Sequence, residues 1–97
     1  SDVRGSAAEA LANFGQPAAK YIPDIVNFLK DEKVDYYARF RAAEALANFG
    51  QPAAKYIPDI VNILKDEKVD SNVRYGAAVA LANFEQQLKL EQVDVIL

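Results

Sequence analysis

The chain contains no cysteine, histidine, methionine or tryptophan. Without histidine and cysteine it lacks the commonest general acid–base group, the thiolate nucleophile and the usual protein ligands of zinc, copper and haem iron. Serine occurs only at Ser1, Ser6 and Ser71, and none of them lies in the G-x-S-x-G setting of a hydrolase nucleophile. We therefore predict that the protein is not an enzyme and binds no metal or other cofactor.

Long apolar segments and an excess of basic residues are missing as well. No hydrophobic run approaches the ~20 residues that a membrane-spanning helix requires. The formal net charge is −3, and an acidic surface does not attract the phosphate backbone of a nucleic acid. Membrane and nucleic-acid partners are therefore not expected. No targeting segment and no initial methionine are present, so we expect a piece of a longer protein with a cytoplasmic location.

The residues that are present are typical of a folded helical domain. Hydrophobic residues make up 52% of the chain and charged residues 26%, which is an ordinary composition for a globular protein. Only 4 glycines and 4 prolines occur, and the prolines recur at regular places. This pattern predicts long regular elements joined by short connections.

An internal repeat organises the whole chain. The string AAEALANFGQPAAKYIPDIVN begins at Ala7 and again 35 residues later at Ala42, and a shorter copy, AAVALANF, begins at Ala77. Residues 1–35 and 36–70 differ at only six positions. A period of this length is the signature of stacked repeat proteins. We therefore divide the single domain 1–97 into units 1–35, 36–70 and 71–97, the last being truncated or divergent.

Each unit is predicted to contain two helices. In the first, apolar residues recur over Val3–Phe14 with the spacing of one helix face, and Gly15 follows as a helix-ending residue. In the second, the apolar stripe consists of Ile22, Ile25, Val26 and Leu29. A lone hairpin cannot hide these stripes, so the hairpins are expected to stack and to place Phe49, the counterpart of Phe14, between units.

Two segments resemble the first helix of bacterial HEAT-like repeats of the phycobilisome-lyase type. They are RFRAAEAL at Arg39–Leu46 and VRYGAAVAL at Val73–Leu81, while GQP at residues 50–52 and IPDI at residues 57–60 resemble the second half of the same unit. The resemblance implies an all-α fold, an α-solenoid of about three stacked helical hairpins in a right-handed superhelix like those of armadillo and HEAT proteins. First helices would lie on the convex side and second helices on the concave side.

The resemblance also implies a ladder of aspartate–arginine pairs between units. The matching pairs here are Asp35 with Arg39 and Asp70 with Arg74. The chain departs from the family pattern at Glu85, where EQQL replaces the expected GQPA. The last hairpin is therefore expected to be joined differently or to serve as a C-terminal cap.

The function that fits these features best is a non-enzymatic protein-binding scaffold with a protein or peptide partner. The chain would be a fragment of a longer HEAT-repeat array or, given its near-identical units, a consensus-like repeat protein. The resemblance leaves one alternative open, a subunit or fragment of a HEAT-like enzyme such as a phycobilin lyase or a DNA glycosylase relative. Such enzymes would be expected to show cofactor-directed residues or a basic groove, and the sequence offers neither.

Two sets of residues are candidates for contact with a partner. The first, here called the concave strip, comprises polar second-helix residues that point away from the apolar stripe: Lys20, Asp24, Asn27, Asp31, Lys55, Asp59, Asn62 and Asp66. The second, here called the variable edge, lies where units 1 and 2 differ most and comprises Tyr36, Tyr37, Phe40 and Arg41. Tyrosine and arginine are favoured at protein interfaces, so the variable edge is also a candidate contact surface.

The ends of the array are the last feature that predicts an interaction. Repeat arrays need polar terminal caps. Here Val3, Ala7, Ala8 and Leu11 would lack an upstream unit, and the sequence ends in Val95-Ile96-Leu97. We therefore expect end-to-end self-association through the uncapped terminal repeats.

Overall fold

A computed structural model describes residues 2–14 and 16–96, and within them the side chains of residues 3–14 and 18–90. The described residues form five α-helices, two short 3-10 helices and no strand, which confirms the all-α prediction. The α-helices are α1 (Asp2–Phe14), α2 (Ile22–Lys30), α3 (Tyr36–Phe49), α4 (Ile57–Lys65) and α5 (Ser71–Ile96). The 3-10 helices, Gln16–Tyr21 and Gln51–Tyr56, lie between the two α-helices of units 1 and 2.

The reversal between α3 and α4 depends on a glycine and a proline. Gly50 ends α3 with φ 68° and ψ −132°, a backbone conformation that a side chain disfavours. Pro58 lies in the first turn of α4, where its missing N–H has no helical partner in any case. The corresponding Gly15 lies outside the described residues.

Aspartates begin the first helices of units 2 and 3. Asp35 Oδ1 accepts the Ala38 N–H at 3.0 Å, and Asp70 Oδ1 accepts the Asn72 N–H at 2.7 Å. Each carboxylate therefore satisfies an N–H group that would have no partner in the first turn of its helix. Both aspartates therefore cap the helices that follow them.

The third unit does not fold into a hairpin. Helix α5 runs for 26 residues from Ser71 to Ile96 without a break. Glu85 stands where Gly50 ends α3, and Gln87 stands where Pro52 begins the irregular segment of unit 2. Glutamate and glutamine are good helix formers and keep the backbone N–H that proline lacks, so the helix continues. The solenoid thus consists of two hairpins and one long helix instead of about three hairpins.

The first helices stack side by side in the order α1, α3, α5, with α2 packed on α3 and α4 packed on α5. The middle helix, α3, has alanines with no solvent exposure on the two sides that face its neighbours: Ala38, Ala42, Ala43, Ala45 and Ala47. Alanine has the highest helix propensity and the small side chain that lets neighbouring helices approach closely. The shared apolar seam predicted from the repeat is therefore present.

The same apolar stripe is covered in α3 and α5 but open in α1. Phe49 is 6% exposed and Phe84 is 1% exposed, whereas Phe14 at the equivalent position is 72% exposed. The reason is that a preceding first helix covers α3 and α5. Ala8, expected on the open face of α1, is instead buried on the side of α1 that faces α3.

Replacing Phe49 with alanine is expected to lower the free energy of unfolding by about 3–5 kcal/mol, because it leaves a cavity between units. Phe14→Ala removes the same atoms from the same repeat position, but from an exposed site, and should change stability by no more than about 0.5 kcal/mol. Urea unfolding followed by circular dichroism measures both. Equal losses in the two variants would contradict the stacking.

Candidate functional site

The eight residues of the concave strip lie on the surface, but they do not form one continuous band. All are exposed except Asp59, which is half-buried. Six of them line three separate concavities between or beside the second helices, and Asn27 and Asp31 line none of the three. The structure therefore divides the surface that the sequence predicted as a single groove.

The largest group of strip residues borders a polar groove of about 330 Å³ between units 1 and 2. Its lining residues are Lys30, Glu32, Arg39, Asp59, Asn62, Ile63, Asp66 and Val69. Lys30 Nζ lies 3.2 Å from Asp59 Oδ1, and this ion pair joins α2 to α4 across the groove. Asp66 Oδ1 accepts the Lys68 N–H at 2.9 Å. Two of the carboxylates in the groove thus already have partners within the protein.

The remaining strip residues are dispersed. Lys20 and Lys55 border a cleft of about 420 Å³ between the two 3-10 helices, and each ammonium group lies over the ring of the tyrosine that follows it, at 5.3 and 5.4 Å. Asp24 borders an apolar hollow of about 210 Å³ beside Phe28. Asp31 Oδ1 accepts a backbone N–H in its own turn at 2.9 Å. These contacts suit a solvated helix surface better than a single binding site.

Aromatic residues of the variable edge form a more distinctive site, here called the aromatic groove. It has a volume of about 240 Å³ and is lined by Tyr36, Tyr37, Phe40, Asn72 and Tyr75. The rings of Phe40 and Tyr75 are stacked, with centroids 6.2 Å apart and planes 26° from parallel. The N-terminal ends of α3 and α5 lie side by side, and this packing brings the five side chains together.

The tyrosines of the groove are unusually open to solvent. Tyr36, Tyr37 and Tyr75 are 51%, 47% and 65% exposed. Large apolar surfaces of this kind on a folded domain commonly mark a place where another molecule binds.

Arg41, the fourth predicted member of the variable edge, has a different role from the aromatic residues. Its guanidinium group pairs with the Glu9 carboxylate across the contact between α1 and α3. It also lies 5.5 Å from the centre of the Tyr37 ring, on the rim of the aromatic groove. Arg41 therefore joins two units and holds Tyr37, and it is not a free basic group.

Tyr75 and Asn72 belong to the aromatic groove although sequence analysis did not select them. The signal that could have identified Tyr75 is its position 35 residues after Phe40, because equivalent residues of stacked units become neighbours. Comparison of units 1 and 2 alone missed both residues, since they belong to unit 3.

The predicted aspartate–arginine ladder is wrong. Arg39 Nε donates to the Leu29 carbonyl at 2.9 Å, and Arg74 Nε donates to the Leu64 carbonyl at 3.0 Å. Both carbonyls lie in the last turn of a second helix, where backbone oxygens have no helical partner and the helix dipole favours a cation. Among the described residues neither arginine forms an ion pair with the aspartate four residues before it, because that carboxylate caps its own helix.

Arg4, at the equivalent position of unit 1, has a different partner among the described residues. Its guanidinium group lies 4.3 Å from the centre of the Phe28 ring. Arg4 is exposed, whereas Arg39 is 6% exposed. The two arginines therefore differ in burial and in partner although they share a repeat position.

Within the part of the chain that the structure describes, no three acidic side chains come together in a way that could hold a metal ion. No described helix is both long and apolar enough to cross a bilayer.

Comparison with known protein families assigns the repeat. A family model described as HEAT repeats matches residues 22–95, and a second, described as PBS lyase HEAT-like repeat, matches residues 3–31. The first match covers most of the chain, from α2 to the last turns of α5. Comparisons with curated proteins and with solved structures returned no match.

Replacing Arg39 with alanine is expected to lower the free energy of unfolding by about 1.5–3 kcal/mol, the range for a hydrogen bond that involves a charged group. Arg4→Ala is the matched control, because it removes the same side chain from an exposed site without a carbonyl partner. Chemical denaturation of both variants tests the difference. The role of the arginine–carbonyl contact is refuted if the two losses are equal.

Proposed function

Because this chain belongs to the HEAT-repeat family, we propose that it is a non-enzymatic scaffold that binds another protein or a peptide. The observation that carries the proposal is the aromatic groove, in which three exposed tyrosines and a phenylalanine from two helices meet around an asparagine. The two helices that carry these side chains, α3 and α5, pack against each other.

The composition of the groove suits a polypeptide partner. Tyrosine offers a large contact area with few rotatable bonds, so its ordering on binding costs little entropy. Its hydroxyl group stays available for hydrogen bonds, and the Asn72 side chain can both donate to and accept from a peptide backbone. Aromatic residues and arginine are enriched in protein interfaces, and Arg41 lies at the rim over Tyr37.

The size of the groove favours a side chain over a small molecule. Its volume of about 240 Å³ is below the ~300–1,000 Å³ of common ligand pockets. A partner would therefore insert one apolar side chain between the rings while its backbone contacts the tyrosine hydroxyls and Asn72.

A single-stranded nucleic acid is a less suitable occupant of the groove. Proteins that stack bases on aromatic rings also surround them with basic residues that neutralise the phosphates. Here Arg41 is paired with Glu9, and the chain carries a net charge of −3. The aromatic rings thus lack the positive surroundings that such binding requires.

A direct test selects peptides from a random display library against the whole chain and maps the bound peptides by amide chemical shifts in NMR spectra. We expect the shifts to concentrate on residues 36–40 and 72–75. The double variant Tyr36→Ala/Tyr37→Ala should lose affinity by about tenfold or more, since truncating an aromatic anchor commonly costs more than 1 kcal/mol and 1.4 kcal/mol is tenfold.

The matched control is Tyr21→Ala, which removes an exposed tyrosine outside the aromatic groove and should leave the affinity unchanged. Circular dichroism establishes that all variants keep their helices. Shifts confined to the concave strip, or equal affinity of the double variant and the control, would refute the proposal.

A further inference from the structure

Each first helix in this stack has two different apolar faces. In α1, one of these faces is buried and the other is open. In α1, Ala8 and Ala12 are buried on the side toward α3. The opposite side is uncovered by any described part of the chain. Its residues, here called the back face of α1, are Val3, Ser6, Ala7, Ala10 and Phe14.

Helix α5 shows the reverse arrangement. The residues equivalent to the back face are buried against α3, as for Val73, Ala77 and Phe84. The residues equivalent to Ala8 and Ala12 are instead exposed. The open side, here called the front face of α5, consists of Tyr75, Ala78, Ala82 and the half-buried Val79.

Helix α3 shows how such faces fit together. Its back face packs on α1 and its front face packs on α5, and both are buried. The contact between a front face and the next back face therefore occurs twice inside the chain. Among the described residues, one further face of each kind stays uncovered, the back face of α1 and the front face of α5.

Side-chain sizes match at each internal contact. In the first, Gly5 faces Arg41, and a Cβ atom placed on Gly5 would lie 3.3 Å from Arg41 Cβ. In the second, Phe40 faces Gly76, and a Cβ atom placed on Gly76 would lie 2.7 Å from the Phe40 ring. Each contact thus pairs one large residue with one small residue at the same two repeat positions.

The two open faces continue this size rule. Tyr75 occupies the repeat position of Gly5 and Phe40, and Ser6 occupies that of Arg41 and Gly76. A contact in the same register would place the large Tyr75 against the small Ser6. At the position of Glu9 the front face carries Val79, so no charge would be buried in this contact.

We propose that the chain associates head to tail with a second copy of itself, the front face of α5 docking on the back face of α1 in the register of the internal contacts. The two faces differ, so the contact is heterologous and can add further copies. Because α5 does not fold back, this contact lacks the second-helix carbonyl that binds Arg39 and Arg74 inside the chain. We therefore expect the contact between copies to be weaker than the contacts inside the chain, so that association increases with concentration.

The test uses two variants, each with one face blocked. Ala7→Glu places a charge on the back face and Ala78→Glu places one on the front face. Both sites are exposed on helices, so we expect the fold to be kept, which circular dichroism checks. By sedimentation equilibrium from micromolar to millimolar concentration, the average mass of the wild-type chain should rise. Each variant alone should stay monomeric, and their equimolar mixture should form a one-to-one dimer and nothing larger.

Asn48→Glu is the matched control, because it adds the same charge to an exposed position on α3 outside both faces and should associate like the wild type. A wild-type chain that stays monomeric at every concentration overturns the proposal. Self-association of either blocked variant alone also overturns it, because it would show that like faces pair. Tyr75 belongs to both the front face and the aromatic groove. Sedimentation is therefore measured without peptide, so that its outcome does not depend on peptide binding in the groove.

Discussion

The close packing of alanine-lined first helices is the contact on which the rest of the structure depends. Helix α3 buries alanines toward both neighbours, and the small side chains let α1 and α5 approach its backbone. A helix with such a sequence is not expected to be stable alone, because both of its apolar faces must be buried against neighbouring helices. The packing of α2 on α3 and of α4 on α5 brings Arg39 and Arg74 within reach of carbonyls at the ends of the second helices.

Much of this arrangement could be predicted from the repeat. The 35-residue period predicts the stacking of equivalent helices, and a glycine after the last apolar residue predicts the end of a first helix. Both predictions are confirmed, the second at Gly50. The backbone carbonyls that accept hydrogen bonds from Arg39 and Arg74 could not be predicted in the same way. A sequence places Arg39 four residues after Asp35, but only the packing of α2 on α3 brings a free carbonyl to its guanidinium group.

The third unit shows where the repeat pattern stops predicting the structure. Residues 77–84 follow the first-helix pattern closely, and Asp94 keeps the register of Asp59. Glu85 and Gln87 stand where Gly50 ends α3 and Pro52 begins the irregular segment, so local propensity overrides the periodicity. The concave strip does not form a single groove, because several of its charged groups stabilise turns or join α2 to α4. Val95 and Ile96, expected to contribute to end-to-end contact, lie among the side chains outside the described residues, as does Leu97.

Differences between units 1 and 2 acquire a physical meaning in the stack. The changes from Gly5 to Phe40 and from Ser6 to Arg41 lie at contacts between first helices, where large and small residues alternate. The changes that introduce Tyr36 and Tyr37 line the aromatic groove. Variation at the start of the first helix therefore sets the contact between units and shapes the surface offered to a partner.

The side-by-side stacking of equivalent helices can be tested most directly by a disulfide, because the chain contains no cysteine of its own. A Cβ atom on residue 5 would lie 3.3 Å from that of residue 41, close to the spacing of disulfide-bonded cysteines. In dilute solution, mild oxidation of Gly5→Cys/Arg41→Cys should give an intramolecular disulfide in nearly every molecule. Ala7→Cys/Arg41→Cys, whose first cysteine faces away from α3, should remain reduced. Failure of the first pair to oxidise, or equal oxidation of both pairs, would contradict the stacked arrangement.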